Sequence, residues 1–390
     1  MTKTPVRRTP WPKSVSQAVV TPLQPSVVYR SSDPDALDAQ YEGQTQGYTY
    51  AREGHPNADL LARKIDALEG AEGGLVVSSG MAAISVVLLG ALSAGDHIIG
   101  ADQLYGRSLR LLREDLPRWG IACDFVDMGD VTAVKAALRP ETRLILVETV
   151  SNPTLRVADI EGLLALARET GVLLAIDNTF ATPLGFRAWE TGADIVIHSV
   201  TKLLAGHSDV TLGYAATRDP SLRDRILSTA TTLGFTASPY DCWLAERGLY
   251  TLELRHRQAS SSAAELAMML ADHPAVASVL YPGRSDHPDH SRAVKLLAGQ
   301  FGTMVTFTLK GGREAANRFT AAAPDLPFAP TLGDVATLLS HPASSSHRGL
   351  SAPERLALGI TEGTFRVSVG VEPTAVILSD ISRALYAVLA

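Results

Sequence analysis

The segment from Ala193 to Asp209 places a lysine directly after a buried strand. Its apolar residues Ile195–Ile197 are typical of a strand that is covered on both faces, and Lys202 follows them among hydroxyl-bearing residues. Burial disfavours the charged form of a lysine, so a lysine at this position is either paired or chemically engaged. A covalent imine with a carbonyl cofactor would explain it, whereas a lysine that merely extends into solvent is the alternative.

Two further charged residues stand where a bound ligand would account for them. Asp177 ends the apolar strand Val172–Ile176, and a protonated pyridine nitrogen would stabilise a carboxylate there; a cap for the segment that follows is the alternative. Arg366 alternates with Phe365 and Val367 in a second strand, so its side chain points to the opposite face and could bind a carboxylate through two parallel hydrogen bonds. A surface salt bridge explains Arg366 equally well from these residues alone.

The elements between residues 74 and 200 must position these side chains. Short apolar strands alternate with amphipathic or apolar helices, which predicts a doubly wound α/β domain with a mostly parallel sheet. The turn Ser78–Met81 joins a strand to a buried helix and so offers a helix N-terminus to a phosphate. Because ligands bind at the carboxyl ends of such strands, we expect four polar side chains to face one crevice: Glu148, Asn152, Asp177 and Lys202.

The pattern divides the chain into three parts. Residues 1–57 are rich in proline, serine and glycine and predict an extended arm, residues 58–250 the α/β domain, and residues 251–390 a smaller α+β domain with antiparallel strands. Within the arm, the tyrosines and arginine of Gly47–Asn57 form either an anion-binding edge or an ordinary polar loop. We expect Asn57 to cap the helix that follows the arm.

Composition excludes several kinds of partner and compartment. The 390 residues carry a net charge of −6, which argues against nucleic acid or an anionic membrane as a partner, and the pair Arg7 and Arg8 is too small to change that. The longest apolar stretch, Ala82–Ala94, is too short to span a bilayer, and no apolar signal segment follows the first residues. Two cysteines do not form a disulfide framework. We therefore expect a cytoplasmic protein.

Two other enzyme classes and a zinc site fit the sequence poorly. A nicotinamide dehydrogenase requires a Gly-x-Gly-x-x-Gly turn, which Ser78–Met81 does not supply. A serine hydrolase requires Gly-x-Ser-x-Gly, and the segment Gly206–Val210 lacks the last glycine. For His287 and His290 a zinc site is the alternative to a solvated loop, and no thiol ligand lies near them, so we favour the loop and expect no metal there.

Eight motifs occur in a fixed order along nearly the whole chain: Tyr50-Ala-Arg52, Ser79–Ala83, Asp102–Gly106, Glu148–Pro153, Asp177–Phe180, Ser199–Lys202 with Gly206–Asp209, His341–Ala343 and Arg366–Glu372. With them the chain resembles the Cys/Met-metabolism (transsulfuration) family of fold-type I enzymes, which depend on pyridoxal 5'-phosphate (PLP) and share the aspartate-aminotransferase-like fold. The motifs are most similar to those of cystathionine γ-synthase, γ-lyase and β-lyase.

The resemblance implies a role for each motif residue. It makes Lys202 the catalytic lysine that holds PLP, Asp177 the partner of the ring nitrogen, and Tyr105 the stacking ring and a candidate catalytic acid. It also implies a phosphate site and a contribution from a neighbouring subunit of a homotetramer, built as a dimer of active dimers. The residues of that site are Gly80, Met81, Ser199 and Thr201, with Tyr50 and Arg52 from the neighbour.

The resemblance further implies an amino-acid substrate. Arg366 and Asn152 would bind its α-carboxylate, the loop at Thr331 would face it, and Arg110 would bind a distal carboxylate. The expected activity is carbon–sulfur cleavage in L-cystathionine or a related sulfur amino acid, by β- or γ-elimination. The alternative is a cystathionine γ-synthase that joins cysteine to O-succinyl- or O-acetylhomoserine, and methionine γ-lyase or homoserine sulfhydrylase activity is expected less. This chain departs from the family pattern at five positions: His55, Asn57, Pro330, Thr331 and Asp334.

Overall fold

The structure is a computed structural model that describes residues 14–389, so Arg7, Arg8 and the beginning of the predicted arm lie outside the described residues. The α-helices are α1 Pro34–Tyr41, α2 Pro56–Glu69, α3 Gly80–Ala91, α4 Gly106–Arg110, α5 Val131–Ala136, α6 Ile160–Thr170, α7 Thr182–Gly185, α8 Ala188–Thr191, α9 Pro220–Leu233, α10 Pro239–Leu249, α11 Leu252–Ala271, α12 His290–Leu297, α13 Gly312–Ala321, α14 Ala352–Ala357 and α15 Thr374–Leu389. The strands are β1 Leu75–Val77, β2 His97–Ala101, β3 Ala122–Val126, β4 Thr142–Glu148, β5 Leu173–Asp177, β6 Ile195–His198, β7 Gly213–Thr217, β8 Val276–Leu280, β9 Met304–Leu309, β10 Leu338–Ser340 and β11 Thr364–Ser368.

The larger sheet has the strand order β1-β7-β6-β5-β4-β2-β3. The five strands from β2 to β6 pair in parallel, as predicted, and their residues are largely buried because helices cover both faces. Strand β7 was not predicted. It pairs antiparallel with both β1 and β6, and three of its five residues are glycine or alanine, which are depleted in strands.

The smaller sheet is antiparallel, with the order β10-β11-β9-β8. One of its faces packs on a second core, in which the rings of Phe307 and Phe365 stack 5.7 Å apart and Phe319 contacts both. Arg366 lies between Ser340 and Thr306 on the neighbouring strands, on the face away from these rings. The predicted antiparallel α+β unit is therefore present, and it turns Arg366 toward the larger domain.

The arm is less irregular than expected, because it contains helix α1 with Asp33 as its cap. Asn57 does not cap α2. The helix begins at Pro56, two residues earlier than a cap at Asn57 implies, and His55 caps it by accepting the N–H of Ala58. The Asn57 side chain instead bonds to the arm, where it accepts the N–H of Gln24 and donates to the Pro22 carbonyl.

Helix α11 joins the two cores. Leu252 at its start packs in the larger core, and Leu266 and Leu270 near its end pack in the smaller one. Arg255, in its first turn, is buried and donates to the carbonyls of Leu203 and Leu204, directly after Lys202. The helix therefore holds the lysine segment against the domain junction. Among residues 14–389 no helix is both long and apolar enough to cross a membrane.

Candidate active site

A cavity of about 260 Å³ lies between the carboxyl ends of β4, β5 and β6 and the inner face of the smaller sheet. All four residues that were expected to face one crevice contribute to its wall. The residues that form the wall include Ser79, Gly80, Met81, Tyr105, Glu148, Asn152, Asp177, Thr179, Ser199, Thr201, Lys202, Pro330, Thr331, Ser346 and Arg366. The cavity therefore combines an amine, two carboxylates and a guanidinium at the place where α/β enzymes bind ligands.

Lys202 lies in the loop between the antiparallel strands β6 and β7. Its Nζ donates to Oγ1 of Thr331 over 3.0 Å. Burial, together with the positive charge of Arg366, lowers the pKa of the Lys202 ammonium from 10.5 to about 8. A substantial fraction of this amine is therefore neutral near physiological pH, which a nucleophile or base requires.

Asp177 ends β5, and its Oδ1 accepts two hydrogen bonds from Thr179, one from the N–H at 3.0 Å and one from the hydroxyl at 2.5 Å. The Thr179 hydroxyl in turn accepts the N–H of Ser199 over 2.8 Å. Burial raises the pKa of Asp177, and the bonds from Thr179 oppose that rise. Thr179 thus connects Asp177 to the lysine loop. Sequence reasoning assigned it no role, although the motif Asp177–Phe180 contained it.

Helix α3 presents its N-terminus to the cavity. Ser79 caps the helix, and Gly80 and Met81 form its first turn, where N–H groups have no partner within the helix. A Cβ atom on Gly80 would lie 2.7 Å from both Cβ and Oγ of Ser199, so only glycine allows this approach. The result is a small cradle of backbone donors and a serine hydroxyl, which suits a phosphate. Thr201 differs, because its hydroxyl bonds to the main chain of Leu212.

Arg366 is buried in the part of the cavity wall that the smaller sheet forms. Its Nη1 donates to Oδ1 of Asn152 over 2.6 Å, and its Nη2 donates to the carbonyl of Thr331 over 2.8 Å. Nε has no partner among the described residues. Burial lowers the pKa of Arg366 to about 10, so it remains a cation at neutral pH. A buried cation without a carboxylate partner favours binding of an anionic ligand.

Tyr105 stands at the start of α4 with part of its ring open to the cavity. Its backbone N–H donates to Oε1 of Glu148 over 2.6 Å, and the N–H of Asn152 donates to the other carboxylate oxygen over 3.2 Å. Burial, together with the charge of Asp177, raises the pKa of Glu148 well above its usual range. Sequence reasoning placed Glu148 at the crevice but gave it no function.

Three of the predicted site residues lie outside this cavity. Tyr50 and Arg52 line a separate surface depression of about 420 Å³, where the Arg52 guanidinium lies 5.0 Å from the centre of the Tyr50 ring. Arg110 is exposed, and its Nε pairs with Glu114 over 3.0 Å. Within a single chain these residues are therefore not brought to Lys202.

The loop that carries the unusual residues packs directly on the lysine segment. Pro330 and Thr331 form part of the cavity wall. Gly333 has a positive φ of 82°, and a Cβ there would lie 2.6 Å from the backbone nitrogen of Leu203. Its N–H donates to Ser368. Asp334 is not part of the cavity wall, and its side chain accepts the N–H of Ala336.

A sequence model of the family described as Cys/Met metabolism PLP-dependent enzyme matches residues 4–386. The chain belongs to this family. Two relatives from Bacillus subtilis (strain 168) are each 40% identical to it: the cystathionine beta-lyase MetC, over 94% of this chain and 92% of the relative, and a cystathionine gamma-lyase, over 88% and 90%. The crystal structure of cystathionine gamma synthase from Xanthomonas oryzae pv. oryzae in complex with cystathionine has a TM-score of 0.90 and 35% identity, and covers 95% of this chain and 94% of that one.

Membership of this family confirms the predicted fold type and the predicted cofactor, PLP. The cavity has a chemical counterpart for each part of that molecule. The Lys202 amine suits its aldehyde, the Asp177 carboxylate suits its ring nitrogen, and the cradle at Gly80 and Ser199 suits its phosphate. The residues present therefore fit the cofactor that the family uses.

Proposed function

We propose that this enzyme cleaves a carbon–sulfur bond of L-cystathionine or a related sulfur amino acid. The observation that carries the proposal is the position of Thr331. Its hydroxyl bonds to the Lys202 amine, and its carbonyl bonds to the Arg366 guanidinium. An amino acid whose α-carboxylate binds Arg366 therefore has its Cα close to a lysine that is partly neutral.

Lys202 carries the proton transfers in this proposal. When PLP is bound, it supplies a sink for the electron pair left at Cα. The Lys202 amine removes the Cα proton, and for a leaving group on Cγ it also removes a proton from Cβ. Tyr105 is the proposed acid that protonates the departing sulfur, supported by its exposed ring at the cavity. Arg366 and Asn152 hold the α-carboxylate.

The other cavity residues hold the cofactor. Asp177 would bind the ring nitrogen and Tyr105 would stack on the ring. The phosphate would bind at the N-terminus of α3, at Gly80 and Met81, and at the hydroxyls of Ser199 and Thr201. Of the two hydroxyls Ser199 is the stronger candidate, because that of Thr201 already bonds to Leu212.

We further propose a cytoplasmic homotetramer in which Tyr50 and Arg52 reach the phosphate of a neighbouring subunit. Their distance from the cavity of their own chain supports this arrangement. So do the exposed apolar side chains of the arm, which include Val15, Val19 and Val28. Arg110 would then meet a distal substrate carboxylate only after leaving Glu114.

A panel of substrates tests the activity. The purified enzyme is incubated with L-cystathionine, with L-methionine, and with O-succinyl- or O-acetylhomoserine plus cysteine, and the products are identified. Pyruvate with homocysteine from cystathionine indicates β-elimination, and 2-oxobutyrate with cysteine indicates γ-elimination. Cystathionine formed from a homoserine ester indicates the γ-synthase alternative. Failure to cleave either cystathionine or methionine, or full activity in Lys202→Ala, would refute the proposal.

A further inference from the structure

Glu148 is a buried carboxylate to which the proposed chemistry gives no role. It is the last residue of β4 and lies beside Asp177, its register partner on β5. Burying a second carboxylate next to Asp177 is unfavourable, because burial and like charge both oppose its ionised form. A residue kept at such a cost usually has a function at the site.

Both oxygens of Glu148 are bound by the backbones of functional residues. Oε1 accepts the N–H of Tyr105 over 2.6 Å, and Oε2 accepts the N–H of Asn152 over 3.2 Å. Tyr105 belongs to the loop after β2 and Asn152 to the loop after β4, and these strands are neighbours in the sheet. One side chain therefore ties two loops together at the floor of the cavity.

The connection continues to the smaller domain. The side-chain oxygen of Asn152 accepts Nη1 of Arg366 over 2.6 Å, and Arg366 belongs to β11 of the second sheet. Tyr105 and Arg366 thus stand at opposite ends of one chain of hydrogen bonds, with Glu148 at its centre. From this geometry we infer that Glu148 is a positioning residue that fixes the Tyr105 ring and the Asn152–Arg366 pair relative to each other.

Substitution of Glu148 by glutamine distinguishes positioning through two accepted hydrogen bonds from a role in packing alone. Glutamine has the same shape, but it has only one accepting oxygen, and its NH₂ group would face one of the two backbone N–H donors. Leaving a buried backbone N–H donor without an acceptor corresponds to about a 10- to 100-fold change in an equilibrium constant. Glu148→Gln should therefore loosen Tyr105 or Asn152 while the protein still folds.

The experiment measures binding rather than turnover. The PLP-loaded Glu148→Gln enzyme is titrated with L-alanine, which has an α-carboxylate but no leaving group, and the change in cofactor absorption gives Kd. We expect Kd to rise about 10- to 100-fold and the circular dichroism of the bound cofactor to weaken, because the stacking ring is no longer fixed. Glu141→Gln, an exposed glutamate just before the same strand, is the matched control and should leave both unchanged.

A double-mutant cycle with Asn152→Ala completes the test. If Glu148 acts through Asn152, the two effects on Kd are clearly less than additive, whereas fully additive effects overturn the inference. If Glu148→Gln does not fold, as judged by thermal unfolding of the apoenzyme, Glu148→Asp is used with the same expectations. The inference rests on the proposed function. Unchanged L-alanine binding in Asn152→Ala and Arg366→Gln would refute that function, whereas weakened binding in these two but not in Glu148→Gln would refute only the role of Glu148.

Discussion

The charge state of Lys202 gives the sharpest prediction. A pKa of about 8 instead of 10.5 makes the neutral fraction at pH 7 about 300-fold larger than in an ordinary lysine, and roughly a tenth of the molecules carry the free amine. Burial is the larger cause, and the charge of Arg366 is the second. Replacing Arg366 by glutamine removes that charge, so the Lys202 pKa should rise while staying below that of an exposed lysine.

Amine labelling of the apoenzyme measures this pKa directly. A sulfonate reagent that attacks only neutral amines is added at pH values from 6 to 11, and the labelled peptides are quantified by mass spectrometry. The exposed Lys295 in the same chain serves as the internal reference for the reagent. We expect the labelling rate of Lys202 to level off above pH 8, and to level off at a higher pH in Arg366→Gln.

Two results would refute this reasoning. A Lys202 rate that still climbs tenfold per pH unit between pH 9 and 10 would show that burial does not depress the pKa. A wild-type pKa near 8 that does not move in Arg366→Gln would show that the guanidinium is screened from the amine. The Lys202 amine and the Arg366 guanidinium both bond to Thr331, but in that case the guanidinium charge would not affect the Lys202 pKa.

The same lysine and its neighbour Thr179 give two further predictions. Burial disfavours the Lys202 ammonium in the folded state, so protonation lowers the free energy of unfolding below pH 8, and this loss is recovered between pH 8 and 10.5. In urea unfolding at pH 7, apo Lys202→Met should therefore be about 1–3 kcal/mol more stable than wild type. The difference should vanish above pH 10.5. An equal difference at both pH values would contradict this. Thr179→Val removes the hydroxyl between Asp177 and Ser199, so PLP should dissociate about tenfold more readily in equilibrium dialysis, and unchanged retention would show that this hydroxyl is dispensable.

The parallel sheet could be predicted because its strands are short, continuous apolar runs between amphipathic helices. Strand β3, at Ala122–Val126, agrees to the residue. Strand β7 could not be predicted, since Gly213–Thr217 is held by pairing on both sides rather than by its own preference. The start of α2 was misplaced because asparagine is a preferred capping residue and histidine is not, and the sequence does not show that the Asn57 side chain bonds to the arm instead.

The site was predictable where single charged residues interrupt or follow apolar strands. Asp177 and Lys202 attract notice at or after a strand end, and Arg366 within strand β11, because a charge at such a position requires a partner. Thr179 and Glu148 could not be given roles, since their functions consist of hydrogen bonds to backbone N–H groups that belong to other loops. Such bonds depend on which loops lie close together in the folded protein, and the spacing of residues along the sequence does not show this.

The close packing of Gly333 on Leu203 limits how this enzyme can be altered for new substrates. A mutational library directed at the loop would gain most at Pro330 and Thr331, which face the cavity. Any member that replaced Gly333 would displace the backbone of Lys202 and Leu203 before it changed selectivity. Asp334 does not line the cavity, but its negative charge opposes the effect of burial on the pKa of Arg255, which binds the carbonyls of Leu203 and Leu204. A screen can therefore keep Gly333 unchanged and vary Pro330 and Thr331, the two residues before Leu332.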